Sequence, residues 1–220
     1  MVPYYQEQGI TIYHGDSREI LPGLAPVDLV LTDPPYNAKK DYGVSKDDLS
    51  PEAYAEAMRT VVGEARRLAP KQFWVAPRYQ MALWLSLLPD AHLVVIPRGA
   101  SGPNRGGWSD QFETALACGK PKGCPVDLWN GIRLKGEGYF FREETYGHPG
   151  YTPSAIFKRA IKYFAADSII DPFAGTGTSL FCAKLAGVRA VGIELNEAYC
   201  EIAASRMAQS VFDFEGALAV

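Results

Sequence analysis

The sequence predicts an α/β fold, and two patterns lead to that prediction. Short apolar runs alternate with segments of helical length, and the runs are rich in Val, Ile and Leu, as parallel strands buried on both faces require. The chain has 220 residues, 47% of them hydrophobic, which suits one domain with a sizeable core. We therefore expect a single domain over residues 1–220.

Seven apolar runs are predicted to form the strands of one sheet. They lie at residues 10–14, 28–32, 72–76, 92–96, 112–117, 168–171 and 189–193. The run at 28–32 leads directly into a motif whose side chains suit catalysis or binding, and the run at 168–171 does the same.

The segments between the runs are predicted to form helices. The clearest covers residues 51–68, where Ser50 can cap the first turn and Pro51 suits the first helical position. One apolar stripe follows its face, made of Tyr54, Met58, Val61, Val62, Ala65 and Leu68. Further helices are predicted at 78–88, 153–164, 178–186 and 197–209. The irregular segments 37–49 and 97–108 follow strands, where open α/β sheets carry their working loops.

The composition excludes several classes of protein. No apolar stretch approaches the roughly 18 residues of a membrane span, and the N-terminus has neither a basic segment nor an apolar signal core, so we expect a cytoplasmic protein with no membrane partner. The four cysteines form no C-x-x-C pair, which favours buried thiols over zinc or disulfides, and no metal site is predicted. The net charge of −3 requires any nucleic-acid partner to meet a local basic surface.

Residues 33–36, Asp-Pro-Pro-Tyr, form the most informative motif. It combines an acceptor-only carboxylate, two residues that lack a backbone N–H, and one aromatic ring. These groups suit a site that holds a planar ring by its amino group, which indicates methyl transfer onto a nucleobase. By itself the same tetrapeptide could be a rigid turn after a strand.

The second motif runs from Ile169 to Ser179 and reads IIDPFAGTGTS, an apolar strand followed by a glycine-rich turn that opens a helix. Glycines allow the backbone to approach a ligand, and the helix N-terminus offers free N–H groups. The next strand ends at Glu194, whose carboxylate can accept hydrogen bonds from ribose hydroxyls. The third glycine of a dinucleotide-binding loop is missing, so the pattern favours a nucleoside cofactor other than NAD.

Together the two motifs resemble one family, the DNA amino-methyltransferases that use S-adenosylmethionine. Their order, with DPPY first and DPFAGTGTS last, resembles the permuted beta arrangement of that family, whereas related RNA and protein-glutamine methyltransferases place the cofactor loop first. The resemblance implies a Rossmann-like, seven-stranded methyltransferase sheet, mostly parallel with one antiparallel strand and with circularly permuted motifs. It extends to His14-Gly15-Asp16 and to the segment from His148-Pro149 to Pro153.

The resemblance also implies the roles of individual residues. The catalytic residues are Asp33, Pro34, Pro35 and Tyr36. The residues that bind S-adenosylmethionine are Asp16, Asp171, Phe173, Ala174, Gly175, Thr176, Gly177, Thr178 and Glu194. The substrate candidates are Asn37, Lys39, Lys40, Arg98, Arg105 and Trp108.

Several of these residues have simpler alternative roles. Asp16 could cap the helix that follows it. Glu194 could be a solvated strand end, and His148 suits a structural turn better than proton transfer. Trp108 could fill the gap left by a flipped base or pack on the surface. The positively charged loop residues Lys39, Lys40, Arg98 and Arg105 could be scattered, solvated charges with no common role.

Two features depart from the family pattern. The lysine usual in the segment that begins at His148 is replaced by Thr152, so contact with the cofactor's carboxylate is open. The stretch at residues 118–147, where the family inserts its target-recognition region, is short. It predicts limited sequence readout or help from a second subunit, such as a homodimer would provide.

The sequence therefore predicts a DNA methyltransferase that acts on the N6 amine of an adenine flipped out of double-stranded DNA, in a bacterial or phage-infected cell and near the nucleoid. Asp rather than Ser before Pro-Pro-Tyr favours adenine over cytosine by resemblance. The alternatives are an N4-cytosine or RNA amine methyltransferase with the same core, and a catalytically inactive cofactor-binding partner subunit.

Overall fold

A computed structural model describes residues 1–39, 47–97, 112–123, 125–129 and 152–209. Within these residues one sheet of eight strands has the order β1-β2-β8-β7-β3-β4-β6-β5. The strands are β1 (Tyr5–Glu7), β2 (Ile10–His14), β3 (Leu29–Thr32), β4 (Lys71–Val75), β5 (His92–Pro97), β6 (Phe112–Cys118), β7 (Ser168–Asp171) and β8 (Arg189–Glu194).

The centre of the sheet is parallel. Strands β2, β8, β7, β3 and β4 pair in parallel, whereas β6 runs antiparallel to both of its neighbours, β4 and β5. The seven predicted strands are all present, with ends that differ by at most one residue from the prediction. The mostly parallel sheet with an antiparallel β6 is thus confirmed, while the circular permutation stays a prediction.

The eighth strand, β1, was not predicted. It has only three residues and pairs antiparallel with β2 at the sheet edge. The two residues between them, Gln8 and Gly9, both have positive φ, 50° and 81°, as the tightest hairpin turns require. This strand forms through its turn and its pairing with β2, because its own sequence has no apolar pattern.

The helices of the described residues follow the predicted segments closely. They are α1 (Ser17–Ile20), α2 (Pro51–Leu68), α3 (Met81–Leu87), α4 (Ser154–Phe164), α5 (Thr178–Leu185) and α6 (Glu197–Ala208). The prediction for 78–88 is realised as a 3₁₀ turn at Arg78–Gln80 followed by α3. The four-residue helix α1 was missed because it is too short to show a helical period.

The sheet has a hydrophobic layer on each face. On one face Leu29 and Leu31 of β3 pack in a cluster with residues of α4, α5 and α6. On the other face Val30 packs in a cluster with residues of α2 and α3. All four residues of β3 are buried, so the strand that leads into the DPPY motif is held on both sides.

Two predictions about the whole chain can be compared with the described residues. No helix among them is long and apolar enough to cross a bilayer. Cys118, Cys182 and Cys200 are buried free thiols, as predicted, and Cys124 lies outside the described residues.

Candidate active site

Strands β3 and β7 are neighbours in the centre of the sheet and carry the two motifs at the same edge. They pair in parallel through Leu29 with Ile169 and Val30 with Ile170. The DPPY motif begins one residue after β3, and Asp171 is the last residue of β7. Because parallel strands end at the same sheet edge, two segments far apart in sequence meet there.

Asp171 is the centre of the hydrogen bonds at this edge, and only 2% of its surface is exposed. Its Oδ1 accepts the Thr32 hydroxyl at 2.5 Å and the backbone N–H of Phe173 at 3.0 Å, and its Oδ2 accepts the Ser179 hydroxyl. Burial raises the pKa of Asp171 to about 6, against the lowering effect of these donors, and the nearby Asp33 charge raises it further.

Glu194 supports the glycine-rich turn from the neighbouring strand β8. Its two carboxylate oxygens accept the backbone N–H groups of Gly175 and Asn196, each at 2.8 Å. Burial raises the pKa of Glu194. The alternative of a solvated strand end is therefore wrong, while contact with a cofactor ribose stays a prediction.

Gly175 and Gly177 have φ of 52° and 82°, the left-handed region that favours glycine.

Asp16 is the N-cap of α1. Its Oδ1 accepts the backbone N–H of Arg18 at 2.8 Å, and its carboxylate also pairs with the Arg18 guanidinium, which lowers the pKa of Asp16. The capping alternative is thus confirmed, and the cofactor contact predicted for Asp16 stays a prediction. The next residue, Ser17, donates its hydroxyl to the carbonyl of Pro172, which joins α1 to the glycine-rich turn.

The DPPY motif is held by hydrogen bonds to its backbone carbonyls. The Tyr54 hydroxyl of α2 donates to the carbonyl of Pro35 at 2.8 Å. The carbonyl of Tyr36 accepts the Gln80 amide at 3.0 Å and the Tyr79 hydroxyl at 3.1 Å. Within the described part of the chain no hydrogen bond is found to the carbonyl of Pro34. Among the described residues, this carbonyl can therefore accept a hydrogen bond from another donor.

Asn37 and Asp47 form side-chain hydrogen bonds that join the chain directly after the motif to residues 47–49. The Asn37 amide pairs with both backbone groups of Leu49, at 2.9 Å and 2.8 Å. The buried Asp47 carboxylate accepts the backbone N–H groups of Asn37 and Ala38 at 2.7 Å and 2.8 Å. Asn37 therefore has a structural role, and its predicted contact with substrate stays a prediction.

A cleft of about 380 Å³, open to solvent, lies where the two motifs meet. It is lined by Asp33, Thr152, Phe157, Asp171, Phe173, Ala174, Gly175, Thr176, Thr178 and Ser179. The cleft unites the catalytic carboxylate candidate with six of the nine predicted cofactor residues. The other three do not line the cleft: Asp16 caps α1, Gly177 is the N-cap residue of α5, and Glu194 accepts the backbone N–H of Gly175.

Most of the predicted substrate residues lie outside the residues that the structure describes. Lys40, Arg98, Arg105 and Trp108 lie outside the described residues, as do residues 148–151. Lys39 is exposed and its Nζ lies 3.6 Å from the Asp48 carboxylate.

Comparison with known proteins connects this site to a family. The family model described as DNA methylase, N6_N4_Mtase, matches residues 125–205. The type II methyltransferase M.ScaI of Streptomyces caespitosus is 27% identical over an alignment of 266 positions that covers 96% of this chain and 86% of that protein. The type II methyltransferase M.HpaI of Haemophilus parainfluenzae is 26% identical over an alignment that covers 82% of this chain and 68% of that protein.

The chain is similar to S-adenosylmethionine-dependent DNA methyltransferases. Solved structures show that it shares their fold. M1.HpyAVI in complex with SAM has a TM-score of 0.68 and 21% identity, with 91% of this chain and 100% of that chain covered. The PvuII DNA methyltransferase, named as cytosine-N4-specific, has a TM-score of 0.75 and 16% identity, with 95% and 90% covered.

Several residues of this site were not predicted as site residues. Phe157 and Ser179 belong to predicted helices and line the cleft, and Thr32 belongs to a predicted strand and binds the cleft residue Asp171. Ser179 had a signal in the sequence, because it lies within the DPFAGTGTS motif. The sequence pattern at Tyr54 was misleading. Tyr54 belongs to the apolar stripe of α2, and yet its hydroxyl donates a hydrogen bond to the carbonyl of Pro35 in the DPPY motif.

Proposed function

We propose that this protein transfers the methyl group of S-adenosylmethionine to the N6 amine of an adenine flipped out of double-stranded DNA. One observation carries the proposal: Asp33 of the amine-holding motif and the glycine-rich turn line the same cleft. A methyl donor held by the turn would therefore lie beside an amine held by Asp33.

The residues at the turn fit the proposed cofactor. The left-handed Gly175 and Gly177 let the backbone approach a ligand closely, and α5 begins at Thr178 without a side-chain cap among the described residues, so the N–H groups of its first turn face the turn. The Glu194 carboxylate accepts the backbone N–H groups of Gly175 and Asn196, and because a carboxylate has about four acceptor positions, a ribose hydroxyl could donate to it as well. When bound, S-adenosylmethionine supplies a methyl group already activated by its sulfonium.

The protein's task is to prepare the amine. The lone pair of an exocyclic amine is delocalised into the base, so the amine is a weak nucleophile. If the Asp33 carboxylate accepts one amino hydrogen and the carbonyl of Pro34 accepts the other, the nitrogen moves toward tetrahedral geometry and its lone pair points at the methyl group. The carbonyls of Pro35 and Tyr36 already have donors, which supports Pro34 as the second acceptor. The surplus proton on the methylated amine leaves to water.

Tyr36 is proposed to stack on the flipped base. Its backbone carbonyl is fixed by Gln80 and Tyr79, so the ring is attached to an anchored backbone. Base stacking on an aromatic side chain is worth about 1–3 kcal/mol. A base in duplex DNA would have to rotate out of the helix to reach a cleft at the sheet edge.

Two features support adenine as the target base. The motif has Asp rather than Ser before Pro-Pro-Tyr, which is the adenine pattern of the family that the sequence resembles. A further relative, named DNA adenine methyltransferase YhdJ of Escherichia coli K12, is 31% identical over 85 residues, which cover 38% of this chain and 28% of that protein.

The proposal is tested by incubating the protein with labelled S-adenosylmethionine and either unmethylated duplex DNA or RNA, followed by mass spectrometry of the nucleosides. N6-methyladenine from DNA is the expected product. N4-methylcytosine or methylated RNA would contradict the proposed substrate, and cofactor binding without label in either polymer would identify an inactive partner subunit.

A matched pair of variants assigns the chemistry. Asp33→Ala should abolish transfer while the affinity for S-adenosylmethionine stays within about threefold, because the amine and not the cofactor uses this carboxylate. The control is Asp90→Ala, which removes an exposed carboxylate paired with Arg66. Normal turnover by the Asp33 variant would exclude the proposed mechanism.

A further inference from the structure

Thr152 is the residue at which the sequence departs from the family pattern, and its side chain contacts the DPPY motif. Its hydroxyl donates a hydrogen bond to Oδ2 of Asp33, and Thr152 lines the cleft together with Asp33 and the glycine-rich turn. We propose that Thr152 is a positioning residue that sets the orientation of the Asp33 carboxylate for the incoming amine. This inference rests on the proposed function of the site.

The position of Thr152 is set by its neighbours in the chain. Pro153 follows it with a φ of −56° and serves as the N-cap residue of α4. Helix α4 is then fixed in the core by Ile156 and Phe157, which are 0% and 3% exposed. The Thr152 hydroxyl is thus presented to Asp33, at the end of β3, from the start of a helix that is anchored in the core.

A hydrogen bond at one oxygen matters because an Asp carboxylate otherwise rotates readily. The terminal torsion of Asp has a broad energy profile, so the backbone of Asp33 alone does not fix where its two oxygens point. With Oδ2 held by Thr152, the direction of the solvent-shielded Oδ1 is determined as well. An amine that donates to this carboxylate would then meet an acceptor of fixed direction.

This role differs from that of a lysine at the same point. A lysine would bring a positive charge on a long, flexible stem, which suits contact with a carboxylate of a ligand. The threonine hydroxyl is short and neutral, and it is engaged with a carboxylate of the protein itself. Thr152 is therefore expected to affect the methyl-transfer step and to leave cofactor affinity nearly unchanged.

The test compares Thr152→Val, which keeps the shape and removes the hydroxyl, with Thr152→Ser, which keeps the hydroxyl. Single-turnover methylation of duplex DNA is measured at saturating S-adenosylmethionine, and cofactor affinity is measured by calorimetry. We expect the single-turnover rate constant of the Val variant to fall about 10- to 100-fold, as for a misplaced catalytic group. The Ser variant should stay within about threefold of the wild type, and both should bind the cofactor as the wild type does.

Two results of these rate and affinity measurements would overturn the inference. One is a Val variant that methylates at the wild-type rate. The other is a Val variant that loses cofactor affinity but keeps the full rate at saturation, which would place Thr152 on the cofactor.

A second measurement separates this inference from the proposed function. In a double-mutant cycle, Thr152→Val should lower the melting temperature by about 2–4 °C in the wild type and much less in Asp33→Ala, because the contact is already lost there. Absence of transfer by the wild-type protein would overturn the proposed function and the catalytic purpose of the contact. The coupling in melting temperature would still report the contact itself, and its absence would overturn the inference whatever the activity.

Discussion

The Thr32 hydroxyl donates to Oδ1 of Asp171 at 2.5 Å, and the two residues are the last residues of neighbouring strands, 139 positions apart in the chain. Both are almost fully buried, at 0% and 2% exposure. The bond ties the strand that leads into DPPY to the strand that leads into the glycine-rich turn. The two halves of the site are therefore connected by a polar contact as well as by the sheet.

Removal of this hydroxyl should destabilise the protein. Thr32→Val leaves a buried carboxylate with one donor fewer, and we expect the free energy of unfolding to fall by about 1.5–3 kcal/mol, the usual range for a hydrogen bond to a charged group. Urea denaturation measures the change. Thr32→Ser keeps the hydroxyl and loses only the methyl group, so it is the control; a Val variant that loses no more stability than the Ser variant would contradict a stabilising role for the hydroxyl.

Asp171 should make stability depend on pH in an unusual direction. Its folded pKa, about 6, lies above the unfolded value of 3.8, so the folded state binds the proton more tightly. Its contribution to stability is complete below pH 4 and is lost as the pH rises through 6. Asp171→Asn lacks this titration. The melting temperature of the variant relative to wild type should therefore rise between pH 4 and pH 7, and a constant difference across that range would refute the assignment.

Tyr54 should contribute to turnover through the hydrogen bond to the carbonyl of Pro35. Burial raises the pKa of Tyr54, so its hydroxyl remains a donor across the physiological range. Tyr54→Phe should lower the methyl-transfer rate constant about 3- to 10-fold, the equivalent of one ordinary hydrogen bond, with little change in cofactor affinity. Tyr163→Phe, at the far end of α4, is the matched control and should transfer methyl groups at the wild-type rate.

Gly192 should be intolerant of a side chain because β8 passes close to the glycine-rich turn. A Cβ at Gly192 would lie 2.6 Å from Cδ1 of Leu180 and 3.0 Å from the Cβ of Ala174, which lines the cleft. Gly192→Ala should therefore lower both the melting temperature and the affinity for S-adenosylmethionine. Gly63→Ala is the control: nothing lies within 4 Å of its Cβ, and alanine inside α2 should stabilise the protein by about 0.5–1 kcal/mol.

The fold was largely predictable because each long element has its own local pattern. The strand at residues 168–171 and the helix at 51–68 match the prediction at both ends. The elements that were missed, β1 and α1, are three and four residues long and form through a hairpin turn and a cap. Elements this short have no period to read, so the contacts around them decide their structure.

The two motifs of the site could be recognised in the sequence, but the residues that form hydrogen bonds to them from other parts of the chain could not. DPPY and DPFAGTGTS could be recognised because their residue types have a direct chemical reason to occur together. Thr152, Tyr54 and Gln80 act on DPPY from three other parts of the chain, and each has an ordinary alternative as a loop, core or surface residue. Only the tertiary structure brings their hydroxyl or amide groups to the motif.

The pairing of β3 with β7 also has a consequence for how the protein is made. β3 and β7 cannot pair with each other until the ribosome has synthesised the chain past Asp171, and closing a segment of this length is entropically costly and slow. The growing polypeptide therefore has no complete cleft in which to hold a methyl donor. Cofactor capture becomes a late event of biosynthesis, and a bound cofactor would stabilise only chains in which that distant pairing is already correct.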